Sequence, residues 1–595
     1  MNSSLHASSP HSRIARLLEL LFGAAVGGQV TPDVWELLAQ QETKLTPRPN
    51  PKPLSEHDAI LITYPDQIQA PGRAPLECLA DFAAQHLREV VSGIHLLPFY
   101  PWSSDDGFSV KDYFAVDAAF GTWDDLARFR PHFDLMFDAV FNHLSAQGEW
   151  FQRFRNGEPE FRDFFITVEG NPDLSQVVRP RALPLLTQFL TARGAEKVWT
   201  TFSADQVDVN VKNPRVLLAL LDALLFYVAH GARFIRLDAI AYLWKEIGTP
   251  CLHLPQTHAV IQLMRAVLDE AAPHVQLITE TNVPHADNVT YFGDGTDEAQ
   301  LVYNFALPPL VLHALLRGDA AHLTRWATTL KAPSHRTTFF NFLASHDGIG
   351  LNPARGILPA TEIDFLVERC QAHGGFISYK HNADGSKSPY EMNIVFYDAV
   401  NDPAARDTLE AQVDRFLVAQ AIMLSLAGVP GIYFHSLFGS RNDRAAALES
   451  GINRRINRQK LTRAELELEL ADQHVRRTCV FKRYCALLQA RRSHAAFNPH
   501  GEQRVFAGDP RVFALLRTAT RDSDWVLCLH NVTNTPVTMD ITTRDVASSS
   551  AWKEILSERP HPVSALGTIS ATLRPYEIKW LTAPGPCPIK TVLVP

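Results

Sequence analysis

The chain has 595 residues, of which 46% are hydrophobic and 20% are charged, and its formal net charge is -8. The length suits a large barrel with added domains, and the composition is that of an ordinary soluble globular protein. The negative charge gives no reason to expect nucleic acid as a partner. Seven scattered cysteines form no CxxC pair, which favours reduced thiols in a cytoplasmic protein over a disulfide framework or a zinc site.

Residues 1–55 are predicted to form an N-terminal extension with two helices, around 14–22 and 32–41, and a Pro-rich linker at 47–54. The stretch LLELLFGAAV (17–26) follows Arg13 and Arg16 and superficially resembles a short signal peptide. Glu19 interrupts its apolar run, and the leucines around it cluster on one helical face, so we expect an amphipathic helix packed on the main domain. No other segment approaches the length of a membrane span, and we expect no membrane partner.

Short apolar runs that suit buried strands recur from residue 59 onwards, and most are followed by a stretch with helical spacing. Eight strands with intervening helices predict an α/β fold, a (β/α)8 TIM barrel. The eight candidates are residues 59–63, 93–98, 135–140, 234–237, 275–279, 301–304, 339–344 and 431–434.

Other domains are predicted to interrupt and follow the barrel. Its first part covers 56–143 and its second part 209–497, with the last helix at about 463–492. The intervening 144–208 are longer than a usual strand-to-helix connection and predict a small lobe inserted after the third strand. Short strands at 504–506, 512–517, 525–531, 535–541 and 577–581 predict an all-β C-terminal domain over 498–595.

The stretch GARFIRLDAIAYLWKE (231–246) places two charged residues, Arg236 and Asp238, at the end of a buried strand, where they share one face. A buried charge is tolerated when it is paired and hydrogen-bonded. Two interpretations follow. The residues form a structural ion pair, or Asp238 is a catalytic carboxylate that the neighbouring guanidinium keeps ionised at the mouth of the barrel.

Two further carboxylates, Glu280 and Asp347, follow later strand candidates, at the C-terminal rim where barrel active sites lie. Three carboxylates there predict retaining glycosidic chemistry, which needs a nucleophile and an acid that later acts as a base. Asp238 suits the nucleophile, and Glu280, without an adjacent cation, suits the proton donor. No HExxH, GxxxxGK, GxGxxG or GxSxG motif occurs, and no clustered oxygen ligands call for a metal.

Four motifs occur in order along the barrel: FDAVFNH (137–143), RFIRLDAIAY (233–242), ITET (278–281) and FLASHD (342–347). They resemble the motifs of the α-amylase superfamily of glycoside hydrolases in order, spacing and strand placement. The phrases HLLPFYPWSSDDGFSVKDY (95–113), VYNFALPPLVLHAL (302–315), SHDGIGL (345–351) and RRINRQ (454–459) are similar to its sucrose phosphorylase branch.

This resemblance implies Asp238 as nucleophile, Glu280 as acid/base and Asp347 as transition-state stabiliser. It also implies a pocket for one glucosyl ring. The pocket residues would be Asp105, Phe108, His143, Gln206, Arg236, Tyr242, His346 and Arg454.

In a phosphorylase, phosphate rather than water intercepts the covalent glucosyl-enzyme, which requires an anion site. VVRPRALP (177–184) resembles the branch's phosphate-contacting loop, in which Arg181 would be the contact. A second loop, 378–393, carries Tyr390 at the position that resembles the acceptor-loop tyrosine. Lys380 and Glu391 in this loop are further candidate phosphate or acceptor contacts, and a solvated basic loop is the alternative for the lysine.

The acceptor side departs from sucrose phosphorylases, which carry Leu and Gln where this chain has Pro389 and Glu391. LWKEIGTPCLHLPQTH (243–258), TETNVPH (279–285) and the second loop are more similar to glucosylglycerate phosphorylases. The resemblance therefore implies phosphorolysis of 2-O-α-glucosylglycerate to α-glucose 1-phosphate, with phosphate as co-substrate, no cofactor and no metal.

Alternative interpretations stay open at this point. Glucosylglycerol, sucrose and sucrose 6′-phosphate are the alternative substrates, and an α-glucosidase or transglucosylase is the alternative activity. A non-catalytic sugar-binding relative is disfavoured because all three carboxylates are intact. A homodimer is also left open.

Overall fold

The computed structural model describes residues 9–45, 52–181, 183–382, 386–521, 523–543, 551–564, 567–585, 587 and 589–593. At its centre, eight parallel strands form a closed barrel in sequence order, with β8 hydrogen-bonded to β1. All eight predicted strands are confirmed. They are β1 Ile60–Thr63, β2 Gly93–Leu96, β3 Asp134–Ala139, β4 Ala232–Leu237, β5 Gln276–Thr279, β6 Leu301–Tyr303, β7 Thr338–Phe342 and β8 Val429–Tyr433.

The register of the central strands brings polar residues together at one end of the barrel. In β4 all six residues are buried, because helices cover the outside of the barrel and side chains fill its inside. Arg236 of β4 is opposite Asp138 of β3 and Ile278 of β5. The residues that follow β4 and β5 therefore emerge side by side at the C-terminal rim.

Helices surround the barrel, and among the described residues none is long and apolar enough to cross a membrane. The predicted final helix at about 463–492 is wrong as a single element, since the chain leaves the helix at Asp472 and begins a second one at Arg476. The surrounding helices are Pro75–His86, Trp123–Ala127, Pro214–Ala229, Pro255–Ala271, Leu307–Arg317, Ala321–Ala327, Ala360–Ala372, Leu409–Ser425, Arg463–Ala471 and Arg476–Arg492.

The N-terminal extension packs on the barrel as two helices, α1 (Pro10–Phe22) and α2 (Ala24–Glu42). As predicted, α1 is amphipathic and buries Leu17, Leu18 and Leu21, although Leu20, which was expected on the same face, is 68% exposed. Arg13 forms a 2.7 Å ion pair with Asp269 of the helix beneath. The predicted start of the second helix at Pro32 is wrong, because the buried face of α2 already includes Gly27 and Val30. Residues 47–51 of the predicted linker lie outside the described residues.

Two smaller units stand over the rim. In 144–208, helix Glu149–Arg155 packs with the hairpin of Leu186–Thr191 and Gly194–Trp199, and strands His143–Ser145 and Gln206–Asp208 pair where this lobe joins the barrel. The predicted second loop, 378–393, is instead mostly a hairpin of strands Phe376–His381 and Lys387–Asn393, paired with Ile349–Gly350.

The C-terminal region contains two sheets around a core with Trp525 and Trp552. All five predicted strands are present, as Glu502–Phe506, Val512–Thr518, Trp525–Asn531, Val537–Thr543 and Ile578–Thr582. Four strands that the sequence analysis missed complete the sheets: Trp552–Glu554, Pro560–His561, Thr568–Leu573 and Ile589–Leu593.

Candidate active site

Arg236 joins two carboxylates at the C-terminal end of the barrel. Its Nη1 donates to Asp138 Oδ1 at 2.5 Å and to Asp238 Oδ1 at 2.7 Å, and His95 Nε2 lies 2.8 Å from the other oxygen of Asp138. All four side chains are buried. The two interpretations of the Arg236–Asp238 pair are therefore compatible: Arg236 belongs to a structural ion network, and Asp238 is the member of it that lines a cavity.

Glu280 reaches the same cavity from the end of β5. The backbone N–H of Ala239 donates to Glu280 Oε2 at 3.0 Å, and Arg236 Nη2 lies 3.8 Å from its Oε1. Ala239 adopts a left-handed conformation with a φ of 47°, which is uncommon for a residue other than glycine and is typical of functional sites. The residue after Asp238 thus helps to orient Glu280.

Asp238 and Glu280 titrate as an interacting pair. Burial raises the pKa of Asp238 to about 8, although Arg236 lowers it, and the neighbouring carboxylates raise it further. Burial likewise raises the pKa of Glu280. The expectation that the neighbouring guanidinium keeps Asp238 ionised left out the desolvation of the carboxylate, which raises the pKa against the effect of Arg236. Such a pair shares one proton, and the shorter contact of Arg236 with Asp238 favours Glu280 as the carboxyl that keeps it.

At Asp347 the neighbouring cations outweigh burial and keep the carboxylate ionised. Burial opposes its charge, but Arg454, whose Nη1 lies 2.7 Å from Asp347 Oδ1, and the other cations around it hold its pKa well below the usual range. His346 stacks on Phe108 with ring centroids 4.7 Å apart and planes 5° from parallel. Burial lowers the pKa of His346 to about 3, so its ring is neutral at physiological pH.

A second group of polar side chains faces these carboxylates. Arg181 Nη2 donates to Asp105 Oδ2 at 2.8 Å, and Gln206 Nε2 lies 3.3 Å from the same oxygen. Gln206 also donates to the backbone carbonyl of Phe108 at 3.2 Å. Burial lowers the pKa of His143 to about 4. Neutral imidazole, amide and carboxylate groups offer the mixed donors and acceptors that sugar hydroxyls need.

Both groups line one cavity of about 710 Å³, counting its open mouth. Its walls come from the ends of the barrel strands, the 144–208 lobe and the hairpin. The sequence-predicted residues that line it are Asp105, Phe108, His143, Arg181, Gln206, Asp238, Tyr242, Glu280, His346, Asp347, Tyr390 and Arg454.

Three sequence-predicted residues are not on the cavity wall. Arg236 lies beneath it and acts on Asp238 through the ion network. Glu391 is buried and hydrogen-bonded to Arg454. Lys380 pairs with Ser388 across the hairpin, away from the lining, so the structure gives no geometric support for a contact between this lysine and phosphate or acceptor.

Sequence reasoning missed several residues of the site. Phe202 packs edge-on against Tyr242 and lies 5.5 Å from the guanidinium carbon of Arg181, but it belongs to the lobe, far from any motif. Asn282 lines the cavity and could have been found from its position two residues after Glu280. Asp138 was visible within FDAVFNH, but only the strand register shows that it shares Arg236 with Asp238. Within the described part of the chain, no group of three or more His, Cys, Asp or Glu could hold a metal ion.

Comparison with known proteins places this site in a family. The family described as "Alpha amylase, catalytic domain" matches residues 85–349. The glucosylglycerate phosphorylase of Spirochaeta thermophila is 51% identical over 531 residues, covering 88% of this chain and 90% of that protein. The chain belongs to the glucosylglycerate phosphorylase family. The resemblance to this family that the motifs predicted is thereby confirmed, and with it a hexosyl-transferring phosphorylase as the class of enzyme.

Glucosylglycerate phosphorylase relatives are more similar to the chain than those of other specificity. The sucrose phosphorylase of Agrobacterium vitis is 32% identical, covering 74% of this chain and 88% of that protein. The crystal structure of sucrose 6F-phosphate phosphorylase from Thermoanaerobacter thermosaccharolyticum is 26% identical and superposes with a TM-score of 0.70, covering 80% of this chain and 94% of that one. The predicted barrel with a C-terminal all-β domain is confirmed.

Proposed function

We propose that this protein catalyses the reversible phosphorolysis of 2-O-α-glucosylglycerate to α-glucose 1-phosphate and glycerate, with retention of configuration. The observation that carries the proposal is the 51% identity to a glucosylglycerate phosphorylase over 88% of the chain. The cavity supports it, because it joins two coupled carboxyls, a third carboxylate held ionised and a guanidinium at one site.

In the first step, a carboxylate oxygen of Asp238 attacks the anomeric carbon. Glu280 donates its proton to the glycosidic oxygen, the bond between that oxygen and the anomeric carbon breaks, and glycerate leaves with its hydroxyl restored. Arg236 stabilises the attacking carboxylate through its 2.7 Å contact. Asp347 gains strength as a sugar-hydroxyl acceptor while positive charge develops on the ring.

In the second step, a phosphate oxygen attacks the anomeric carbon of the glucosyl ester. The ester bond to Asp238 breaks, and the proton of the attacking phosphate oxygen passes to Glu280, which is then ready for the next cycle. Arg181 is the guanidinium suited to hold this phosphate, because a fork of N–H donors matches phosphate oxygens. Tyr390 closes the acceptor side of the cavity from the hairpin.

Phosphate is a co-substrate, and neither step calls for a cofactor or a metal. We place the protein in the cytoplasm, where its seven cysteines would stay reduced. A homodimer is the oligomeric state we propose to test by light scattering.

The decisive assay measures release of glucose 1-phosphate from glucosylglycerate, glucosylglycerol, sucrose and sucrose 6′-phosphate, each with and without phosphate. We expect a clear preference for glucosylglycerate and dependence on phosphate. The variant Glu280→Gln should lose this turnover, whereas the matched surface variant Glu149→Gln should keep it, since Glu149 is exposed. Release of free glucose at a rate indifferent to phosphate would make the protein an α-glucosidase, and preference for another glucoside would correct the acceptor.

A further inference from the structure

Glu391 is the buried acidic residue of the hairpin. Its residue exposure is 1%, and its two carboxylate oxygens accept from Arg454, with Nε to Oε1 at 3.0 Å and Nη2 to Oε2 at 2.6 Å. This is the forked geometry in which a carboxylate fixes the plane and rotation of a guanidinium.

The guanidinium that Glu391 holds is directed at the site. Arg454 Nη1, which is not used by Glu391, lies 2.7 Å from Asp347 Oδ1. Glu391, Arg454 and Asp347 thus form a line from the hairpin to the glucosyl pocket. A change in the angle of the Arg454 plane would move the group that holds Asp347 ionised.

The backbone next to Asp347 is shaped to admit Glu391. A Cβ atom built on Gly348 would lie 2.6 Å from Glu391 Cγ and 2.5 Å from the carbonyl oxygen of Met392, distances that real Cβ atoms do not adopt. The hairpin therefore packs directly on the residue after Asp347, and only glycine leaves room for this contact.

We propose that Glu391 is a positioning residue of the glucosyl subsite: it fixes Arg454, and through Arg454 it fixes Asp347, instead of contacting phosphate or the acceptor. The inference rests on the proposed function and deepens it. The strand of the hairpin that presents Tyr390 to the acceptor is thereby tied to the sugar pocket by a buried ion pair.

The charge of Glu391 adds a second consequence. Arg454 is one of the groups that lower the pKa of Glu280. Three carboxylates, Glu391, Asp347 and Asp105, offset the charge of Arg454, and Glu391→Gln removes the one that Arg454 contacts by two hydrogen bonds. The less compensated positive charge of Arg454 would favour ionised Glu280 and so lower the pKa of Glu280. The general acid would therefore lose its proton at a lower pH.

The test uses α-glucosyl fluoride hydrolysed without phosphate or glycerate. In that reaction Asp238 displaces fluoride, which needs no proton donor, and water then cleaves the glucosyl ester, so no acceptor or phosphate contact is involved. We expect Glu391→Gln to lower both this turnover and glucosylglycerate phosphorolysis by a similar factor, about 10- to 100-fold. The basic limb of its phosphorolysis pH profile should move to lower pH.

Two controls make the outcome specific. Glu362→Gln removes an equivalent forked contact, to Arg317 on the surface, and should change neither activity. Glu391→Asp keeps the negative charge but shortens the side chain by one methylene, which moves the carboxylate oxygens away from Arg454. Turnover should therefore fall while the pH profile stays unchanged. This also separates loss of position from loss of folding, provided that the melting temperature is measured for each variant.

An unchanged rate with glucosyl fluoride, together with a raised KM for phosphate or glucosylglycerate, would overturn the proposal and make Glu391 an acceptor or phosphate contact. The fluoride assay responds to any retaining α-glucosyl enzyme. If glucosylglycerate is not the substrate, the wild-type protein will fail to phosphorolyse it. The comparison of Glu391→Gln with wild type on glucosyl fluoride will still test the role of Glu391.

Discussion

Replacement of Arg236 by Gln tests whether this guanidinium sets the ionisation of the nucleophile. Arg236 contacts Asp238 at 2.7 Å and Asp138 at 2.5 Å in a buried setting. Two unit charges about 4 Å apart at an effective dielectric constant of about 20 interact by about 4 kcal/mol, which changes an ionisation equilibrium about 10³-fold. At neutral pH we therefore expect about 10³-fold less turnover.

The direction of the pH effect follows from the charge. Burial already raises the pKa of Asp238 to about 8 against the pull of Arg236. Without the guanidinium the pKa of this acid rises further, so the ionised nucleophile appears only at higher pH. The assay is kcat/KM for glucose 1-phosphate release as a function of pH, in which the rising limb for Arg236→Gln should move to higher pH.

The matched control lies on the same strand. Arg233, at the other end of β4, is also buried and donates to Asp134 at 2.5 Å and to the backbone carbonyl of Lys52 at 2.9 Å. Arg236→Gln should lose about 3–5 kcal/mol of unfolding free energy, because it removes the guanidinium partner of the buried Asp238. Arg233→Gln should also lower the unfolding free energy, but by less, since the side chain of Asp134 is 24% exposed. Only Arg236→Gln should change the pH profile. A loss of turnover below about tenfold with an unmoved rising limb would refute the role of Arg236 in ionising Asp238.

Three further outcomes test other parts of the site. Glu280→Gln should lose about 10²–10⁴-fold with glucosylglycerate but much less in the first-turnover release of fluoride from α-glucosyl fluoride, a step that needs no acid, and equal losses in the two first-turnover rates would reject Glu280 as the proton donor. Arg181→Ala should raise the KM for phosphate while glucosyl fluoride hydrolysis persists, and Arg179→Ala, on the same loop, is the control that should leave the KM for phosphate unchanged. The Asp238–Glu280 pair holds a proton in the folded state that the unfolded carboxyls have lost, so the contribution of the pair to stability falls as pH rises from about 4 to about 8. Asp238→Asn should therefore gain melting temperature relative to wild type between about pH 5 and about pH 9, and a constant difference by calorimetry would contradict the raised pKa.

The barrel could be predicted because its signal is local. Each strand is a short apolar run, and the carboxylates follow at its end, as Asp238 follows β4 and Glu280 lies just after β5. The start of α2 was missed because Pro32 was taken as the first residue of the helix, whereas a stripe of buried residues extends the helix on its N-terminal side. The hairpin was missed because its charged and turn residues hid the alternation that its pairing creates.

The ion pairs of the site could not be predicted from any single motif, because their partners are far apart in the sequence. Asp138 is 98 residues from Arg236 in sequence and became visible only through the parallel register of β3 and β4. The sequence placed Glu391 beside Tyr390 and so suggested a ligand contact. The pairing of the hairpin is irregular at this point, since Ser378 is opposite Glu391 and Tyr379 is opposite Pro389, and Tyr390 lines the cavity while Glu391 is buried against Arg454.

The two arginines that line the cavity differ in what they can still bind. Arg454 is committed to Glu391 through two donors and to Asp347 through a third. Arg181 makes a 2.8 Å hydrogen bond to Asp105, and its side chain remains 30% exposed at the cavity. A guanidinium has five N–H donors, so Arg181 keeps a free edge for a forked phosphate contact, whereas all three nitrogens of Arg454 are already engaged by carboxylates. We therefore expect phosphate selection to depend on Arg181, and we expect that Arg454 does not compensate for the loss of Arg181.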